Sequence, residues 1–131
     1  MNLLVTGGAG FIGSHFADRR IDHGDRVVVL DDFNDSYDPE AKRRNVAPRL
    51  RHPAYRLVEG DVRDRELLLR LFEEEKFDVV VHLAARAGVR PSLRDPVLYE
   101  EVNCVGTRWT VRVKGWLASG ATPLVAVKVS V

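Results

Sequence analysis

The chain has 131 residues, enough for one domain around one core. Lys and Arg number 20 against 19 Asp and Glu, for a net charge of +1, which gives no electrostatic case for nucleic acid or a membrane surface as partner. Hydrophobic residues make up 45% and charged residues 30%, as in an ordinary soluble globular domain, and no apolar run approaches the length that spans a bilayer. The one cysteine, Cys104, excludes an internal disulfide and fits a reducing compartment; with no basic, signal-like start, the expected location is cytoplasmic.

Leu3 to Val5 is a short apolar run that reads as a buried strand and breaks into Gly7, Gly8, Gly10 and Gly13. The spacing satisfies Gly-x-Gly-x-x-Gly from Gly8, and a helix-compatible stretch follows at once. Strand, glycine turn and helix in that order is the context a dinucleotide fingerprint requires. The first glycines allow a tight turn. Gly10 has no side chain to block a pyrophosphate, and Gly13 lets the helix approach the strand. The free N–H groups at the helix start, with the dipole behind them, then face the phosphates. The helix itself is expected over Phe11 to His23, with Gly13, Phe16, Ala17, Arg20 and Ile21 on its inner face and Gly24 ending it. Arg20 fits that face badly unless its stem is buried and its head reaches water.

Val27 to Leu30 is a second apolar run and ends at Asp31 and Asp32. An acidic residue at the end of the second strand, about 20 residues past the glycines, can accept both hydroxyls of an adenine ribose and repel a 2′-phosphate. Asp31 therefore argues for NAD over NADP. Turn formers follow from Phe33 to Pro39, then the basic residues Lys42, Arg43, Arg44, Arg49, Arg51 and His52. That stretch has no nucleic-acid motif and little aromatic interleaving, so it reads as the solvated face of a short helix broken near Pro48.

Tyr55 to Glu59 reads as the third strand, ended by Gly60-Asp61-Val62. Asp61 at a strand's carboxyl end either accepts a hydrogen bond from the adenine amino group or is a turn acid, and position alone does not separate the two. Asp64 caps a helix with Leu67, Leu68, Leu71 and Phe72 inward, and Glu73, Glu74 and Glu75 at its far end are expected to be solvated. The run from Asp78 to Ala84 suits a parallel strand buried on both faces. His82 within it reads as a satisfied core histidine rather than a catalytic one. Ala84, Ala85 and Gly88 would let a cofactor lie across the strand end, and Arg86 and Arg90 could meet anions. Asp95-Pro96 marks a helix start, continued inward by Val102, Val105 and Trp109. Residues 108–114 alternate polar and apolar, a strand signal, and 124–131 again look like a strand. The expected fold is α/β, a Rossmann-type doubly wound parallel sheet with strands at 3–6, 26–31, 55–59 and 78–84, incomplete at the C-terminus.

With these residues in view, the chain resembles the N-terminal part of the NAD-dependent epimerase/dehydratase family, the extended short-chain dehydrogenase/reductases. Within it the chain is most similar to the UDP-glucuronate 4-epimerase branch. The resemblance rests on Val-Thr-Gly-Gly-Ala-Gly-Phe-Ile-Gly-Ser-His at 5–15, Leu-Asp-Asp-Phe-Asn-Asp at 30–35 and Gly-Asp-Val-Arg-Asp at 60–64. It also rests on His-Leu-Ala-Ala at 82–85, Ala-Gly-Val-Arg-Pro-Ser-Leu at 87–93, and Asn103 with Gly106-Thr107. It covers residues 1 to about 107 of a single NAD-binding domain spanning 1–131, and Tyr-Asp-Pro at 37–39 with the run 87–93 points to the glucuronate branch. The resemblance implies NAD contacts at Gly7, Gly10, Phe11, Ile12, Gly13, Asp31, Asp32, Asn34, Asp61, Val62, Leu83, Ala84, Ala85 and Asn103. It also implies a nucleotide-sugar substrate and a hydride exchanged with sugar C4 while a Tyr-x-x-x-Lys pair handles the hydroxyl proton. No tyrosine here has a lysine four residues on: Tyr37 is followed by Lys42, one residue too far. No catalytic or metal-ligating residue is therefore assigned. Residues 108–131 depart from the family pattern, which a truncated or frame-shifted gene product would explain; reading the encoding DNA in all frames around Thr107 tests that. The expected role is the NAD-binding part of a nucleotide-sugar epimerase, inactive by itself. The alternatives are a non-catalytic NAD-binding module and a fragment of a nucleotide-sugar dehydratase or decarboxylase.

Overall fold

The computed structural model describes residues 1–36 and 38–110, with the backbone of 126–128. Apolar side chains alternate across the strands and are buried on both sides, so the sheet needs helices on both faces. Leu3, Val5, Val27, Val29 and Val81 pack on one face with Ala17 and Ile21. Leu4, Val28, Leu30 and Val80 pack on the other with Leu68, Leu71, Phe72 and Val102. The strands are β1 (Asn2–Thr6), β2 (Arg26–Asp31), β3 (Tyr55–Glu59), β4 (Val79–His82) and β5 (Ala126–Lys128). Their order is β3-β2-β1-β4-β5, and every pair is parallel. The chain thus reverses its direction of winding between β1 and β4, the position at which open α/β sheets leave a crevice.

Helix α1 (Phe11–Asp22) follows the glycine turn. It closes as expected at Gly24, whose φ is +86°. The Gly24 N–H donates to Ile21 O at 2.9 Å and the Asp25 N–H to Arg20 O at 3.1 Å, a paired arrangement that satisfies two terminal carbonyls. Arg20, awkward on the inner face by sequence, turns its head to the Asp25 carboxylate. The Met1 ammonium donates to the same carboxylate at 2.7 Å. That hydrogen bond, against the cost of burial and with help from Arg20, holds the Asp25 carboxyl below its ordinary pKa.

Helices α2 (Pro39–Val46) and α3 (Arg65–Glu75) start on Asp38 and Asp64, whose carboxylates accept from Glu40 N and Leu67 N, each at 3.0 Å. Two short helices, α4 (Val89–Arg94) and α5 (Pro96–Glu100), lead into a π-helical turn, Glu101–Gly106. Asp95 caps α5 through Leu98 N at 3.0 Å, as the Asp-Pro pair predicts.

Four expectations need correction. Glu75 is not solvated: its side chain is 7% exposed, with Arg26 at 2.9 Å and Arg56 at 2.5 Å. These arginines stand on the neighbouring strands and offset the unfavourable helix end. Val105 does not continue the buried stripe but is 39% exposed. The wider π turn shifts the inward positions to Val102, Gly106 and Thr110, spaced by four. Residues 108–110 are helical rather than extended, because that spacing overrides the local alternation; Thr107 and Thr110 hydroxyls also donate back to Asn103 O and Gly106 O. The rest of the expected strand at 108–114 lies outside the described residues, whereas the one at 124–131 is represented by β5. Finally, Lys42 is not on a solvated face, a point taken up below.

Gly13 shows how tightly the turn is built. A β-carbon there would stand 2.4 Å from Gly7 O and 2.6 Å from Gly8 Cα, both backbone atoms that cannot give way cheaply. Gly→Ala in a helix ordinarily stabilises by about 1 kcal/mol. Here the sign reverses, and Gly13→Ala is expected to cost roughly 1–3 kcal/mol. Denaturant unfolding of both proteins checks this, and equal or higher stability of the variant contradicts the close packing.

Candidate functional site

A cleft of about 240 Å³ opens at the carboxyl ends of β1, β2, β3 and β4. Its lining begins with Gly7, Gly10 and Phe11 from the glycine turn and Leu30, Asp31, Asp32, Asn34 and Ser36 from the end of β2 and its loop. Lys42 of α2 and Gly60 and Val62 after β3 follow, then Leu83, Ala84, Ala85 and Ala87 after β4, and Val102. Gly7 sits at φ +69°, and a β-carbon on it would press to 2.7 Å from Ala84 N. The turn after β1 and the end of β4 therefore meet through bare backbone, which only glycine allows. A β-carbon on Gly10 would have only Gly7 O, at 3.3 Å, within 4 Å, so the groove above it is open for a ligand.

The start of α1 faces this groove. Gly10 is its N-cap and supplies no side-chain hydrogen bond, and no acidic residue stands in the first turn. The leading N–H groups have no intrahelical acceptor, so with the dipole they form a site for an anion such as a pyrophosphate. Phe11 and Ile12 are 66% and 51% exposed at this end.

Asp31 is 5% exposed and fixed from three directions. Oδ2 accepts from Ala9 N at 3.1 Å, and Oδ1 accepts from Phe33 N at 3.0 Å and Lys42 Nζ at 3.2 Å. Asp32 lies 4.0 Å from the same ammonium and accepts from Asn34 N at 3.1 Å. Two carboxylates thus converge at the end of β2 with one cation between them.

Of the residues singled out by sequence, Gly7, Gly10, Phe11, Asp31, Asp32, Asn34, Val62, Leu83, Ala84 and Ala85 come together along the cleft. Ile12, Gly13, Asp61 and Asn103 are not among its lining residues. Gly13 is buried against the turn. Asp61 accepts from Arg63, with Nη2 at 2.7 Å and the backbone N–H at 2.8 Å. Desolvation pushes the Asp61 carboxyl up, but the Arg63 hydrogen bonds outweigh it and hold the pKa below the ordinary carboxylate value. Asn103 spends its amide on the Arg86 backbone, accepting from the N–H at 2.8 Å and donating to the carbonyl at 3.0 Å. It shapes the loop after β4 from behind.

His82 belongs to the same supporting layer. The Thr107 hydroxyl uses its one hydrogen on Asn103 O at 2.7 Å, so the 2.9 Å contact from His82 Nε2 is a donation to Thr107. In a neutral imidazole Nδ1 then accepts from the Thr6 hydroxyl at 2.7 Å. Thr6 Oγ1 in turn accepts from Ala84 N at 3.3 Å. The ring ties the ends of β1 and β4 to the π-helical turn, which is the core-histidine reading.

Sequence reasoning missed Leu30, Ser36, Lys42, Gly60, Ala87 and Val102. For Lys42 a signal existed: it precedes Val46 by four residues and so shares the inward face of α2, where both are buried.

The family described as GDP-mannose 4,6 dehydratase matches residues 4–111. The chain belongs to that family, within the NAD-dependent epimerases and dehydratases. UDP-glucuronate 4-epimerase 4 of Arabidopsis thaliana is 45% identical over 106 residues, which is 81% of this chain and 24% of that protein. The UDP-glucose 4-epimerase of Thermus thermophilus, solved in complex with NAD, superposes with a TM-score of 0.73 at 39% identity, over 86% of this chain and 33% of that one. The UDP-glucose 4-epimerase of Thermotoga maritima, solved with UDP-glucose, gives 0.75 at 33% identity, over 96% of this chain and 37% of that one. The chain therefore spans about a quarter of the length of the curated relatives it matches. The Rossmann-type α/β fold expected from sequence is the fold these relatives have. Among the described residues, no helix is long and apolar enough to cross a membrane, and no group of His, Cys, Asp and Glu is arranged to hold a metal.

Proposed function

We propose that this chain is the NAD-binding part of a nucleotide-sugar epimerase of the UDP-glucuronate 4-epimerase type, with no turnover of its own. The observation that carries the reading is the buried Asp31 carboxylate at the end of β2, facing a groove that begins at the uncapped start of α1. Diphosphate at the helix start and a ribose diol at the carboxylate are what that pair of features recognises. Gly7, Gly10, Phe11 and the α1 N-terminus would hold the diphosphate. Asp31, Asp32 and Asn34 would hold the adenosine ribose, with Asp61 and Val62 toward the adenine. Leu83, Ala84 and Ala85 would lie along the inner half, with Ile12, Gly13 and Asn103 supporting these positions. When bound, NAD supplies hydride acceptance and return at the sugar.

The 45% identity to the Arabidopsis enzyme favours the glucuronate branch. A nucleotide-sugar dehydratase is the second reading, favoured by the description of the family that matches residues 4–111. Both place the same cofactor in the same cleft. Calorimetric titration of the 131-residue chain with NAD and NADP tests the shared part. Saturable NAD binding, stronger than NADP binding by tenfold or more, is the expected result. Absence of NAD binding by a folded chain would overturn it.

A further inference from the structure

Asp31, the residue expected to receive both ribose hydroxyls, is already heavily used. A carboxylate offers about four acceptor positions. Ala9 N, Phe33 N and Lys42 Nζ occupy three of them. Roughly one position remains, on Oδ2 by this accounting, while a ribose diol brings two hydroxyls. Lys42 has what the carboxylate lacks. Its ammonium carries three donors, is 3.2 Å from Asp31 and 4.0 Å from Asp32, and its side chain is 9% exposed where it lines the cleft. A hydroxyl oxygen can accept from it while the other hydroxyl donates to Asp31.

We propose that Lys42 is a cofactor-contacting residue that completes the adenosine-ribose subsite and, jointly with Asp31, decides between NAD and NADP. This rests on the NAD reading given above. With Asp31 present, two carboxylates outweigh one ammonium and a 2′-phosphate is repelled. Without Asp31, the Lys42 cation keeps only the Asp32 carboxylate at 4.0 Å and can turn to that phosphate. The two residues are therefore strongly coupled in cofactor choice, in the manner that a double-mutant cycle detects.

The experiment measures NADH and NADPH affinity by fluorescence for the wild-type chain, Lys42→Met, Asp31→Ala and the double variant, with a thermal melt of each. Lys42→Met is expected to weaken NADH about tenfold or more, the loss of one charge-assisted hydrogen bond. Asp31→Ala is expected to gain NADPH affinity, and adding Lys42→Met is expected to remove most of that gain. The double variant leaves neither charge unpaired, so the comparison of Asp31→Ala with it still decides the matter if Lys42→Met alone does not fold. NADH binding by the wild type with no change in Lys42→Met, or equal NADPH affinity in Asp31→Ala and the double variant, overturns the role of Lys42 and leaves the NAD reading standing. A folded wild type that binds no NADH overturns both.

Discussion

Replacing Asp31 with alanine is expected to lower NAD affinity by roughly 1.5–3 kcal/mol, about 10- to 150-fold, and to narrow the preference over NADP. The loss is large because the carboxylate is preorganised. It is 5% exposed and held by two backbone N–H groups and an ammonium, so a ligand meets an acceptor that is already oriented and dry. The same contacts make the variant less stable. Ala9 N and Phe33 N lose their acceptor, and Lys42 is left in the cleft wall beside Asp32 alone at 4.0 Å. Breaking a buried pair by removing one partner costs about 3–5 kcal/mol. Against a typical stability of about 5–15 kcal/mol, the variant stays largely folded where the parent stands above the low end of that range. Calorimetry with both cofactors, together with denaturant unfolding, separates the two effects. Unchanged NAD affinity in a folded variant would show that the ribose does not lie at the end of β2.

The parts of this fold that were legible in the sequence are those where one residue type has one structural solution. Four apolar runs between glycine and aspartate punctuation gave four parallel strands, with 26–31 and 55–59 matching β2 and β3 residue for residue. The caps at Asp64 and Asp95 were equally plain, because a carboxylate before a helix has backbone N–H groups within reach. What escaped were pairings between distant charges. Lys42 and Glu75 look solvated from their neighbours in sequence. Each is buried by a partner that the topology delivers, Asp31 across the end of β2 in one case and Arg26 and Arg56 across two strands in the other. The π-helical turn was also invisible, since the inward spacing that it imposes on Val102, Gly106 and Thr110 competes with an alternation that means strand elsewhere. At the cleft, glycines and the strand-end acid announced themselves. Small or apolar lining residues such as Leu30, Ala87 and Val102 could not, because nothing in their chemistry separates a cleft wall from a core.

The 131-residue polypeptide supplied with NAD is expected not to interconvert UDP-glucuronate and UDP-galacturonate. Oxidation at sugar C4 needs a base for the hydroxyl proton, and a tyrosine at its ordinary pKa of about 10 is poorly ionised near neutrality without a nearby cation. No tyrosine of this chain has a lysine four residues on. Burial, and then the charges of Asp18 and Asp31, push the Tyr55 phenol far above its ordinary value, so it is the wrong group for a base. It is also packed in the core on the α1 side of the sheet rather than along the cleft. The Tyr99 hydroxyl donates to Ala87 O at 2.8 Å, where it braces the loop after β4. Tyr37 lies outside the described residues, and Lys42, the nearest lysine after it in sequence, is committed to Asp31. NMR of UDP-glucuronate incubated with the chain and NAD should show no UDP-galacturonate above the protein-free control. Turnover that disappears on changing Asp31 or Gly10 would overturn this and place a catalytic base among residues 1–131.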